Sequence, residues 1–147
     1  MPTEDLSKIY TEVVSEHARD PEHRHALPSA NVKLKGRNPS CGDEITLELD
    51  LEDGIVKDAS FEGVGCAISQ ASTDMMIDLI KGKPVGEAQA LAKKFIGMIK
   101  GEITDEKELE ELDEAMTLQG ISHMPARVKC AVLAWHTLDE GIDEQKK

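Results

Sequence analysis

The sequence predicts an α+β domain: a small antiparallel sheet of about three strands, preceded by one helix and followed by a helical C-terminal half. Three observations predict it. Apolar residues at Leu6, Ile9, Tyr10, Val13 and Val14 repeat with a helical period. Ile45, Leu47, Leu49 and Leu51 then alternate with polar residues up to Asp53-Gly54, a hairpin turn signal. From Cys66 onward every apolar pattern is again helical. An order of helix, hairpin and then helices segregates the two kinds of structure, as α+β domains do.

Each element follows from local chemistry. Thr3 can cap the first helix, Glu4 and Asp5 suit its first turn, and Asp20-Pro21 ends it. Residues Glu22 to Gly36 read as loop with a short strand at Asn31–Lys35. After the Ile45–Leu51 strand and its turn, a second strand sets Ile55, Ala59 and Phe61 on one face, with Asp58, Ser60 and Glu62 on the other. Gly63 and Gly65 close it. Ile68, Ala71, Met75 and Leu79 form the stripe of a helix from Cys66 to Lys81, and Met75-Met76 reads as core. Ala88, Leu91, Ala92, Phe95, Ile96 and Ile99 mark the next helix, stopped by Gly101. Asp105 to Glu114 reads as a solvated acidic helix with little core contact, since only Leu109 and Leu112 interrupt its charges. The last helix takes Pro125 near its start, turns Val128, Ala131, Val132, Trp135 and Leu138 inward, and ends at Gly141.

A chain of 147 residues suits one domain, here read as residues 1–147. Its 29 acidic residues outnumber 17 basic ones, for a formal net charge of −12. That sign speaks against nucleic acid and against an anionic membrane, both of which need basic surfaces. No apolar run reaches the roughly 18 residues of a membrane span. The opening Met1-Pro2-Thr3-Glu4-Asp5 has neither the basic nor the apolar part of a signal peptide. The expected compartment is the cytoplasm, where thiols stay reduced. Three cysteines there are core residues, metal ligands or reactive thiols, not a disulfide framework.

Cys41, Cys66 and Cys130 fall in suggestive places. Pairing Glu52 with Ile55 and counting back along the hairpin sets Cys41 opposite Cys66, close enough to share one ion. Asp43 follows Cys41 by two residues and adds a carboxylate. Cys66 opens a helix, where uncapped N–H groups favour a thiolate. Cys130 sits beside the apolar stripe of the last helix. A single cysteine beside Val and Ala is usually a packing residue, so Cys66 and Cys130 each keep that alternative. Cys41, among Pro39, Ser40, Gly42 and Asp43, keeps it less, because its loop is polar. Of the histidines, His123, seven residues before Cys130, is the one to watch as a ligand, although a surface or capping role is commoner for such a residue.

Three blocks carry a family resemblance: Asn38-Pro39-Ser40-Cys41-Gly42-Asp43, the run Phe61-Glu62-Gly63-Val64-Gly65-Cys66-Ala67-Ile68-Ser69, and Pro125-Ala126-Arg127-Val128-Lys129-Cys130-Ala131. Together they resemble the IscU and NifU-N-terminal family of iron–sulfur cluster assembly proteins. Two features resemble its SufU-type branch. Lys129 stands where scaffold-type members carry a histidine ligand, and residues 101–120 match a branch-specific insertion. The resemblance implies a zinc-dependent sulfur acceptor for a SufS-type, pyridoxal-phosphate cysteine desulfurase, passing sulfur on to downstream iron–sulfur scaffold proteins. It implies Cys41, Asp43, Cys66 and Cys130 as zinc ligands, Cys41 as the persulfide carrier and Arg127 as a residue steadying the site electrostatically. The alternatives are an iron–sulfur cluster scaffold on the same cysteines, or a zinc site that only holds the fold.

Overall fold

The computed structural model describes Glu16 and residues 25–38, 42–103, 105–112, 115, 118–119 and 125–146. The expected first helix lies outside these residues except for Glu16, which is helical and exposed. His17, His23, Cys41 and His123 also lie outside them.

Three strands form one antiparallel sheet in the order β1 (Val32–Asn38), β2 (Asp43–Glu52), β3 (Ile55–Val64). The first runs three residues beyond the expected Lys35, because Gly36 and Asn38 continue its inward alternation. The β2–β3 turn uses Asp53 at φ 55° and Gly54 at φ 76°, the left-handed pair that matches a hairpin's twist. Four helices follow: α1 (Ala67–Ile80), α2 (Val85–Ile99), the short α3 (Glu106–Leu109) and α4 (Pro125–Lys146). Helices α1 and α4 pack on the sheet face carrying Ile45, Leu47, Leu49, Ala59 and Phe61, and α2 packs against α4. At their centre Trp135 stacks on Phe95 with ring centroids 4.1 Å apart.

Three expectations fail for physical reasons. Lys57 is an extra residue in β3, so pairing runs Leu51 with Val56 and then Asp50 with Asp58. This bulge turns Val56 inward and leaves Ile55 exposed, opposite to the expected alternation. It also slips the register by one, so that Glu44 pairs with Val64 rather than with Gly63. Next, the acidic segment is not a solvated flank. Leu109, Leu112, Ala115 and Leu118 are all buried in the core. Third, α4 runs through Gly141 rather than ending there. A Cβ at Gly141 would meet the Leu34 side chain at 2.4 Å, so this glycine lets helix and strand approach. The sheet's other face is also partly buried. Glu48 and its cross-strand partner Ser60 are buried, and the Leu27 N–H donates to Glu48 Oε1.

Candidate metal centre

Asp43 opens β2, Cys66 precedes α1 and Cys130 lies in the second turn of α4. These three elements converge at the end of the sheet away from the hairpin turn. A carboxylate oxygen of Asp43 and the two sulfurs lie within 4.8 Å of one another. Asp43 and Cys130 are buried and Cys66 is half-buried.

Local chemistry fixes each group. Asp43 Oδ1 accepts the Cys66 N–H at 3.1 Å, tying strand to helix start. Gly65 makes that contact possible, because a Cβ there would stand 3.1 Å from Asp43 Oδ1 and 3.0 Å from Ser69 Oγ. Cys66 is the N-cap of α1, with extended φ −71° and ψ 169°, and its Sγ accepts the Ser69 N–H at 3.4 Å. Sulfur here replaces the usual capping oxygen. Cys130 is placed by a buried link between helices. The Ser72 hydroxyl donates to the Ala131 carbonyl at 2.6 Å and accepts the Trp135 Nε1–H at 2.8 Å. Helix α4 is thereby pinned to α1 one residue beyond Cys130.

One atom of this centre has no partner. Asp43 Oδ2 is buried without a hydrogen bond among the described residues. A buried carboxylate oxygen so placed costs free energy unless a donor or a cation meets it. Tetrahedral zinc with thiolate and carboxylate ligands at about 2.0–2.3 Å holds them roughly 3.3–3.8 Å apart. Side-chain movements of about 1 Å would bring the three groups to that spacing, so the donor set fits a soft-to-borderline divalent cation.

The centre unites three of the four expected ligands, Asp43, Cys66 and Cys130. Cys41 lies outside the described residues, and so does the Arg127 side chain. The expectation that Cys41 and Cys66 face each other across the hairpin falls on a residue outside the described ones; among those, Asp43 contacts Cys66 directly. Sequence reasoning missed Ser69, although its place three residues after Cys66 is the spacing of a capped helix start. It also missed Ser72 and Trp135 as partners, since a contact spanning 63 residues leaves no local pattern.

A sequence profile of the family described as NifU-like N terminal domain matches residues 9–147. The chain is 45% identical over 134 residues to the iron–sulfur cluster assembly scaffold protein IscU of Thermotoga maritima, covering 91% of this chain and 92% of that protein. It is 38% identical over 142 residues to the zinc-dependent sulfurtransferase SufU of Bacillus subtilis, covering 97% and 95%. A crystal structure from Fervidobacterium islandicum, described as a proposed iron–sulfur cluster assembly scaffold protein for the SUF system, superposes with a TM-score of 0.81. That match has 36% identity and covers 92% of this chain and 97% of the other.

Proposed function

The chain belongs to the family of NifU-like N-terminal domains, which includes proteins named IscU and SufU, and from that membership we propose that it serves iron–sulfur cluster assembly as a zinc-dependent sulfur acceptor for a pyridoxal-phosphate cysteine desulfurase of the SufS type. The observation that carries the reading is the convergence of Asp43, Cys66 and Cys130 within 4.8 Å, with Asp43 Oδ2 lacking a partner among the described residues. Cys41, two residues before Asp43, is the fourth ligand in this proposal. Arg127, three residues before Cys130, steadies the ligand charge.

Zinc supplies positive charge without redox chemistry, which keeps coordinating thiols ionised at neutral pH. The transfer itself belongs to Cys41. Its thiolate attacks the outer sulfur of the desulfurase's cysteine persulfide. A new S–S bond forms on Cys41, the old one breaks, and the electron pair leaves on the desulfurase cysteine as a thiolate, with no net oxidation. Cys66 and Cys130 are anchored by α1 and α4 and stay in place. Gly42, which follows Cys41, has φ 72° and, among the described residues, nothing within 4 Å of where a Cβ would stand, which leaves room there for an approaching protein.

A second reading is an iron–sulfur scaffold, favoured by the name of the Thermotoga maritima relative. Against it, the residue before Cys130 is Lys129, which is exposed. Anaerobic purification with zinc, iron and sulfide analysis tests the choice, alongside desulfurase assays with Cys41→Ala. Zinc near one per chain, with stimulation lost in Cys41→Ala, supports the sulfur acceptor. Stoichiometric iron and sulfide, or full stimulation by Cys41→Ala, overturns it.

A further inference from the structure

The charge of this chain is unevenly spread. Against a formal net charge of −12, five cationic residues border one groove of about 620 Å³ between β1 and α4. Lys33, Lys35 and Arg37 come from alternate positions of the strand, Lys129 from α4, and Lys100 from the end of α2. Glu140 is the one carboxylate among the described lining residues. Lys33 lies 3.8 Å from the buried Glu48. The other four make no ion pair among the described residues. Between these charges the groove is apolar, with Leu34, Val128, Val132 and Leu133 as its floor.

The groove also borders an unpaired strand. β1 is at the edge of the sheet, and among the described residues no backbone hydrogen bond from outside the β1–β2 ladder reaches Lys33 to Arg37. Cations on an edge strand repel a second copy of the same edge. They leave it open to a strand of opposite charge. The overall negative field disfavours nucleic acid at long range, and an apolar floor suits side chains better than phosphates.

We propose that this groove takes an extended, acidic segment of a partner protein, added to β1 as a fourth strand. Its length would match the seven residues of β1. Cross-strand neighbours share a face, so acidic side chains would lie beside Lys33, Lys35 and Arg37. Apolar side chains at the alternate positions would lie beside Leu34 and against α4. One end of the groove is the metal centre, since Asn38 pairs with Asp43 and Lys129 adjoins Cys130. A partner held in this way is held next to the thiols.

The test is titration of the isotope-labelled full chain, followed by NMR, with a seven-residue peptide alternating Glu with Val. The expected result is shifts at the backbone amides of residues 33–37 and near Lys129, weakening as salt is raised. Lys35→Glu combined with Arg37→Glu should reduce the affinity about tenfold, with an unchanged circular dichroism spectrum. A matching peptide of Lys and Val should not bind. Absence of Glu-peptide binding, unchanged affinity in the double variant, or equal binding of the Lys peptide would overturn the proposal. So would an RNA oligonucleotide that shifts the same amides more strongly, or sedimentation showing that two copies of the chain cover this edge.

Discussion

Truncating the buried leucines of the acidic segment should destabilise the fold far more than removing its charges. Leu109 is fully buried although its neighbours are mostly Glu, and so is Leu118, which follows just beyond the acidic run. Replacing a buried Leu by Ala costs about 2–5 kcal/mol, through lost transfer energy and the cavity left behind. In a chain of this size each kcal/mol moves the melting temperature by about 2–4 °C. Taking a mid-range cost of about 3 kcal/mol, Leu109→Ala and Leu118→Ala should each lower the midpoint by about 6–12 °C. Glu108 and Glu110 are exposed, and Glu111, 63% exposed, pairs with Lys94 on the surface. Changing each of these to Gln should stay within about 1 kcal/mol. Thermal melts followed by far-ultraviolet circular dichroism separate the two classes. The reasoning fails if either leucine variant melts within about 1 °C of the parent, or if the three Gln changes cost as much as one leucine.

Further expectations follow from single contacts. Gly36→Ala would set a Cβ 2.0 Å from Thr137 Oγ1, which already donates to the Leu133 carbonyl, and should cost about 1–3 kcal/mol. Adding Thr137→Ala should recover much of that loss in a double-mutant cycle by urea unfolding. Trp135→Phe removes the Nε1–H bond to Ser72 and part of the stack on Phe95. A loss of about 1–3 kcal/mol is expected by circular dichroism, the variant having no other Trp to report fluorescence. At Asp58, burial pushes the carboxyl pKa up, but the Ala59 N–H and Lys81 outweigh it and leave the pKa below its ordinary 3.8. A depressed carboxylate contributes stability above the unfolded value and loses it as pH falls through the folded one. Asp58 is 43% exposed, so the effect is screened and small. The stability gap between the parent and Asp58→Asn should therefore narrow as the pH of melting drops below 3.8.

The strands and long helices were legible because a one-sided core writes itself as periodicity. Ile45, Leu47 and Leu49 alternate and are buried, and the predicted face of α2 is the buried one. The Lys57 bulge was not legible, since one inserted residue changes the pairing without changing the composition. Leu109, Leu112, Ala115 and Leu118 recur every third residue, the period of a 3₁₀ turn and not of an α-helix. A search for the α-helical stripe passes over that spacing. Gly141 looks like a stop signal, yet close packing on Leu34 outweighs its weak helix preference. At the candidate centre, cysteine spacing and family resemblance pointed to Asp43, Cys66 and Cys130. Beyond the Lys57 bulge the hairpin ladder is one residue out of the counted register, and the Ser72–Trp135 link that positions Cys130 depends on tertiary contact alone.

The central claim is that Cys41 receives sulfur while Cys66 and Cys130 stay as anchored ligands. Its most direct test is peptide mass spectrometry of the chain after reaction with cysteine and a cysteine desulfurase, under conditions that preserve persulfides. The account predicts one added sulfur on the peptide containing Cys41, and none in the Cys41→Ala variant. Added sulfur found chiefly on Cys66 or Cys130 would contradict it.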